Sequence, residues 1–325
     1  MMDWQTSEAR ENSSEDILTA MSNEIAIAEP VPNWEDAKPL WGVAWEIHWI
    51  GLGVAFGFLS VASVVALVRA NRRKRFGRKP YVTAINALLL VLGLTRAIYL
   101  FLDPYGSKQN GVKLPLWLAG LLYNLSYPCL TSAFCLILYV FLSVAKLTVV
   151  SKRLQNARFF VAVISFHFAI VIAGELCLLF APEVAVIIFI FCHMFFIVWG
   201  VVLSASFIYS GLKLIYSVKK VSRRLQTQRR TSAAKVAKVT LVTSFLGLTS
   251  SILHLFSLLS VYRFYRAHEE PLDPWMWWVF HTCSRLIEIA MAGNISYCIM
   301  QPSDSAAKDV FHLFLKRPQM ALFEN

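Results

Sequence analysis

Arg96, Glu175, His193, His254, His281, Arg285 and Glu288 each interrupt a long apolar stretch, and Glu46 stands at the edge of another. His167 is a further case. Ionisable groups surrounded by hydrocarbon are costly, so they turn toward one another, toward water or toward a ligand. Three kinds of chemistry are open to such a set: ion pairing that fastens helices, binding of a small polar molecule, or relay of protons or ions. His281, Arg285 and Glu288 are spaced by four and then three residues, which puts them on one helical face. Arg285 and Glu288 can pair within that helix. Asn86, Gly93 and Arg96 share a broad face of another helix, and Arg96 is expected to reach Glu46 or Glu175.

Other chemistry finds little support. The six cysteines (Cys129, Cys135, Cys177, Cys192, Cys283, Cys298) all fall inside apolar runs, and no pair has zinc-ligand spacing. No disulfide framework and no metal site are expected. His193, His254 and His281 sit at comparable depth, as haem ligands must, but their number and placement are ordinary for satisfied polar residues. No hydrolase elbow, zinc-protease motif or phosphate loop is present. The expectation is a non-enzymatic protein without a cofactor.

The elements that position these residues follow from composition. The chain has 325 residues, 57% hydrophobic and only 16% charged, with a mean hydropathy of +0.55. An ordinary soluble domain is about 45–50% apolar and about 25% charged, so this chain needs lipid as part of its solvent. A bilayer core about 30 Å thick takes roughly 20 residues of helix. Seven stretches meet that length: Ile47 to Val68, Val82 to Leu102, Leu116 to Ala145, Phe159 to Phe180, Val184 to Ser210, Val239 to Tyr262 and Trp275 to Ile299. They are apolar all round rather than alternating, which excludes barrel strands. The fold expected is all-α: a polytopic seven-transmembrane-helix bundle over residues 46–300, between an acidic tail expected to be disordered (1–45) and a cytoplasmic tail (301–325). Ala181-Pro182-Glu183 separates spans four and five as a tight turn. Gly53 and Gly57 make a small-residue face on span one, and Pro128 is expected to kink span three.

Lys and Arg collect on the cytoplasmic side of a membrane. Loops one, three and five hold 20 of them, against four (Lys108, Lys113, Arg263, Arg266) in the other loops. The N-terminus is therefore read as outside or lumenal and the C-terminus as cytoplasmic. No hydrophobic leader precedes span one, so that span exports the tail itself unless the true chain begins upstream. Asn12-Ser13-Ser14 is then a glycosylation candidate. Trp34, Trp41, Trp45 and Trp49, with Trp275, Trp277 and Trp278, are read as an interfacial aromatic belt, with an aromatic ligand cage as the rarer alternative.

Loop five, from Lys213 to Lys238, contains no acid, and Lys219, Lys220, Arg223, Arg224, Arg229 and Arg230 suit anionic headgroups. The net charge of +11 is explained by that topology and implies no nucleic-acid partner. Residues 304–316 can form a short surface helix. The expected location is the plasma membrane or an endomembrane, and the expected partners are membrane lipids and an unidentified small ligand or protein.

The architecture is receptor-like, although the signatures of the largest class of G-protein-coupled receptors are absent. Val144-Ala145-Lys146 replaces the acidic-Arg-aromatic motif, and Asn294-Ile295-Ser296-Tyr297 lacks the proline of the usual pattern. No lysine in span seven means no retinal Schiff base. A closer likeness lies in Trp41-Gly42-Val43-Ala44-Trp45-Glu46-Ile47-His48 with Gly51, followed by Thr95-Arg96-Ala97 and Asp103-Pro104-Tyr105-Gly106. From about Pro39 to the last span the chain resembles the membrane domain of the proline-rich transmembrane protein 3/4 family. The resemblance implies a multi-pass membrane protein without an assigned activity. It departs from the family at the N-terminus, where only Pro30, Pro32 and Pro39 stand in place of a long proline-rich region. Receptor-like sensing is the leading functional expectation; a transporter or ion pathway through the Glu, His and Arg set, or a membrane scaffold, are the alternatives.

Overall fold

The computed structural model describes residues 31–72, 79–108, 114–145, 156–225, 232–267 and 273–300. Asn12, Arg229, Arg230 and the 304–316 segment lie outside these residues. Among the described residues the chain is helical and holds no strand.

The described residues open with α1 (Trp34–Trp41). Asn33 caps it by accepting a hydrogen bond from the Glu35 amide at 3.1 Å, and Glu35 and Asp36 occupy the first turn, where the helix dipole favours acids. These residues belong to the stretch expected to be disordered; the cap and the burial of Ala37 and Trp41 order them instead. Gly42, at φ 49°, turns the chain into α2 (Val43–Glu46). A π turn over Ile47–Gly51 then leads into α3 (Leu52–Arg72). After α4 (Lys79–Leu102) the chain makes a single 3-10 turn, Pro104–Gly106.

The third stretch is interrupted at Leu125 between α5 (Leu116–Asn124) and α6 (Ser126–Ala145), although Leu125 itself keeps helical dihedrals (φ −62°, ψ −22°). Pro128 has no N–H to give the Asn124 carbonyl, so the helix parts one turn before the proline. α7 (Ala157–Phe180) and α8 (Pro182–Leu225) are separated by Ala181 alone, at φ −152°, with Pro182 starting the next helix. α9 (Ser232–Ala267) and α10 (Pro274–Met300) complete the chain.

Six of the helical segments are long and apolar enough to cross a membrane; they begin at Val43, Pro80, Trp117, Ala157, Ile187 and Lys238. α10 is 27 residues long and carries His281, Arg285 and Glu288. Each long helix packs against its chain neighbour, and α10 closes the ring between α9 and α3. α6 touches α4, α7, α8 and α10, and the span it makes with α5 is the most enclosed of those among the described residues, α7 the least. The expected loop from Lys213 to Lys238 is mostly helix: α8 runs on to Leu225 and α9 restarts at Ser232. Lys219, Lys220, Arg223 and Arg224 therefore extend a helix rather than line a loop.

The small-residue face predicted on the first span is only half used. Gly53 lies under the Phe101 ring, whereas a side chain at Gly57 would meet nothing within 4 Å. The closest backbone approach instead involves Gly93 of α4. A Cβ there would stand 2.8 Å from the Phe56 carbonyl oxygen and 3.0 Å from the Ser60 nitrogen. Gly93→Ala is expected to cost about 1–3 kcal/mol by overpacking, while Gly57→Ala leaves stability unchanged or slightly raised. Melting curves in detergent separate the two.

Candidate functional site

Arg96 of α4 and Glu288 of α10 meet in the core across 192 residues of sequence. The guanidinium donates from Nε to Oε2 at 3.0 Å and from Nη2 to Oε1 at 2.9 Å, a bidentate pair. Arg285, one turn before Glu288, donates from Nη1 to the same Oε1. All three residues are at most 2% exposed. The expected contact within α10 is present, but Arg96 reaches neither Glu46 nor Glu175. Glu46 is exposed at the end of α2, where water solvates it without help. Glu288 takes its place because α10 closes the ring beside α4.

Aromatic faces finish the shell around the charges. The Arg96 guanidinium lies 4.7 Å from the centre of the Tyr123 ring and 5.2 Å from that of Tyr127, and the Arg285 guanidinium stands 5.0 Å from the Tyr123 centre. Such contacts partly replace the lost hydration of a buried cation. Tyr105 comes from the turn after α4, held at φ 58°, and is 1% exposed. A tyrosine in this left-handed conformation is unfavourable on its own. It is kept there by the rings packed around it and by His48, whose Nε2 is 3.2 Å from the hydroxyl. The π turn aims His48 inward, and its Nδ1 lies 2.7 Å from the Thr282 hydroxyl on α10.

The tryptophans divide between two roles. Trp41, Trp45 and Trp277 are buried, with Trp41 stacked on Trp45 at 5.4 Å and on Trp277 at 5.6 Å. These three plug the end of the bundle that α1 covers rather than join an exposed belt, whereas Trp275 is 43% exposed. Lys38 straps α1 down by donating from Nζ to the Ser107 carbonyl. Burial lowers its pKa from the usual lysine range, partly offset by Asp103.

The remaining predicted residues form a second group. Glu175 of α7 is buried and accepts from Asn124 Nδ2 at 2.7 Å. A Cβ on Gly120 would collide with its carboxylate. His193 of α8 and His254 of α9 face each other at 6.0 Å, each against the Tyr127 ring, at 5.7 and 5.0 Å. His281 belongs to the first group, 4.1 Å from Trp277 and 4.9 Å from Tyr105. His167 packs on Phe195. All six cysteines are free.

Sequence reasoning missed Tyr99, Tyr105, Tyr123, Tyr127 and Thr282. Only Tyr105 carried a signal, through the Asp-Pro-Tyr-Gly turn. Breaking a buried ion pair from one side is expected to cost about 3–5 kcal/mol, so Glu288→Gln destabilises severely. Replacing all of Arg96, Arg285 and Glu288 by Met removes the charges together and is expected to melt nearer to wild type than Glu288→Gln does. Glu175→Gln, whose amide oxygen still accepts from Asn124, costs about 1 kcal/mol or less. Thermal unfolding in detergent measures all three.

Comparison with known proteins agrees with this geometry at the level of the family. Proline-rich transmembrane protein 4 from Homo sapiens is 37% identical over 109 residues, 33% of this chain and 12% of that protein, and the Mus musculus protein gives the same figures. Proline-rich transmembrane protein 3 from Homo sapiens is 27% identical over 291 residues, 84% of this chain and 26% of that protein. The chain thus spans about a quarter or less of the length of these curated relatives. Residues 19–309 match the proline-rich transmembrane protein 3 domain, and with that much of its length covered the chain belongs to the proline-rich transmembrane protein family, as a membrane protein.

Proposed function

We propose that this chain is a non-enzymatic, receptor-like protein with seven membrane spans, α10 being the seventh. Its N-terminus lies outside or in the lumen and its C-terminus in the cytoplasm. An event at the outer end, on the Arg96–Glu288–Arg285 triad, is passed to the basic ends of α8 and α9. The observation that carries this reading is the place of Tyr127. Its ring stands 5.2 Å from the Arg96 guanidinium and also packs on His193 of α8 and His254 of α9. One α6 side chain therefore touches both the charged triad and the two helices that run farthest. Coupling between distant sites travels through packed groups of this kind when they have two arrangements.

The lengths of α8 and α9 support the output side. α8 has 44 residues and α9 has 36, about 65 and 55 Å at 1.5 Å per residue. Both exceed a bilayer core of about 30 Å, leaving a basic helical hairpin beyond the membrane to meet anionic headgroups or a protein. A proton or ion path draws less support. It needs Glu46, Glu175 and Glu288 in line, and these fall at an exposed helix end and in two separate clusters.

Hydrogen–deuterium exchange on the full chain in nanodiscs tests the coupling. Glu288→Gln is expected to speed exchange in residues 205–250 several-fold, relative to Gly93→Ala as a control for lost stability. Tyr127→Leu in the Glu288→Gln background is expected to abolish that excess. Faster exchange confined to α4 and α10 would leave only a fastener. For orientation, a tag after Asn325 is expected to bind antibody only in permeabilised cells.

A further inference from the structure

The triad contains two guanidiniums and one carboxylate. Arg96 commits Nε and Nη2 to Glu288, and its Nη1 is buried with no hydrogen-bond partner. Other carboxylates do not make up the difference. Asp103 is buried at the end of α4, with the Lys38 ammonium and the Lys108 backbone amide as its neighbours. Glu175 is tied to Asn124, and Glu46 is exposed. One positive charge at the outer end is therefore unmatched.

Four of the polar atoms left over in this part of the bundle are able to donate. Trp41 Nε1, Trp277 Nε1, the Tyr99 hydroxyl and the Ser284 hydroxyl are buried without partners. An indole and a guanidinium only donate, and the two hydroxyls are able to. They are linked through ring contacts. Trp41 stacks on Trp277, Trp277 lies 4.9 Å from Tyr105, Tyr105 lies 5.6 Å from Tyr99, and Tyr99 lies 5.5 Å from Tyr123, over which Arg96 sits. Ser284 is seven residues from Trp277 and four from Glu288 on the same face of α10. Buried polar groups are ordinarily satisfied. A connected set of orphan donors beside a surplus cation has the chemistry of a site waiting for an acceptor with one negative charge.

We infer that the outer end of the bundle binds a small organic carboxylate. Its oxygens take Arg96 Nη1 and the neighbouring donors, and its body lies among the rings of Trp41, Trp277 and Tyr105. α1 covers this end, hinged at Gly42 and strapped by Lys38, so entry requires α1 to lift. The inference rests on the receptor-like reading, for which it names the ligand class.

Binding of radiolabelled benzoate to the full chain in nanodiscs of neutral lipid tests it. Benzamide serves as the neutral isostere and chloride as the inorganic anion. The expected result is saturable binding of one benzoate per chain, with benzamide and chloride competing at least tenfold more weakly. Arg96→Gln is expected to weaken binding tenfold or more. Tyr99→Phe, which keeps its ring and removes one donor, is expected to weaken it several-fold in folded protein. Absent saturation, equal competition by benzamide, or no effect of these variants would overturn the proposal. Equal competition by chloride would overturn the carboxylate assignment. The two readings fail separately. Benzoate binding that leaves exchange in α8 and α9 unchanged keeps the site and removes the receptor. Coupled exchange in Glu288→Gln without benzoate binding keeps the receptor reading and removes this ligand class.

Discussion

A guanidinium taken out of water must be answered by charge and hydrogen bonds, or the helix that carries it will not stay in the core. Arg96 and Arg285 impose that requirement twice, and Glu288 is the single carboxylate placed to meet both. The consequence is geometric. Bidentate contact allows one rotation and one depth of α4 against α10, and those two helices are separated by most of the chain. Apolar packing between spans is permissive, since lipid tails satisfy a leucine as well as another helix does. The triad removes that freedom. It sets which faces of α4 and α10 point inward and so how the ring closes.

The surrounding features serve the same constraint. Tyr123 offers its ring to both guanidiniums, and Tyr127 backs Arg96 from α6. Tyr105 adds a hydroxyl at the cost of a left-handed backbone, which only a well-determined setting sustains. His48 reaches that hydroxyl because the π turn shifts it off the register of a regular helix. Above these sit Trp41, Trp45 and Trp277, which exclude water from the charges and so strengthen every contact among them.

Helix positions were legible because they depend on local runs of apolar residues. The Arg285–Glu288 contact was legible for the same reason, being a spacing within one helix. The Arg96 partner was not, because three buried or edge carboxylates were equivalent until the closing order of the helices was known. The tryptophans were misread because an interfacial ring and a plugging ring have the same composition and the same place in sequence; only the hinge at Gly42 folds Trp41 inward. The long basic stretch read as a loop because charge masks helical length once a helix leaves the membrane. Lys219 to Arg224 continue α8 with no apolar face to announce it.

The polar interior is uneven in a way that bears on movement. Around the triad, bonds cross between helices, from α4 to α10 and from the π turn to α10. Away from it, crossing bonds are fewer, from Asn124 of α5 to Glu175 of α7 and from Trp199 of α8 to Cys135 of α6, and many are local: Ser60, Ser63, Thr131, Thr243, Ser244 and Ser251 each return a hydroxyl to the carbonyl four residues earlier. A local bond satisfies the hydroxyl without binding one helix to the next. The contact between α8 and α9 is of this second kind, with Gly200 against Ser251 and Gly247 against Ser204 bringing smooth surfaces together. Bonds between helices tie α4, α10 and the π turn together, whereas α8 and α9 meet through small residues with few such bonds. On the coupling proposed above, that difference is what lets a change in how the triad is satisfied pass into α8 and α9.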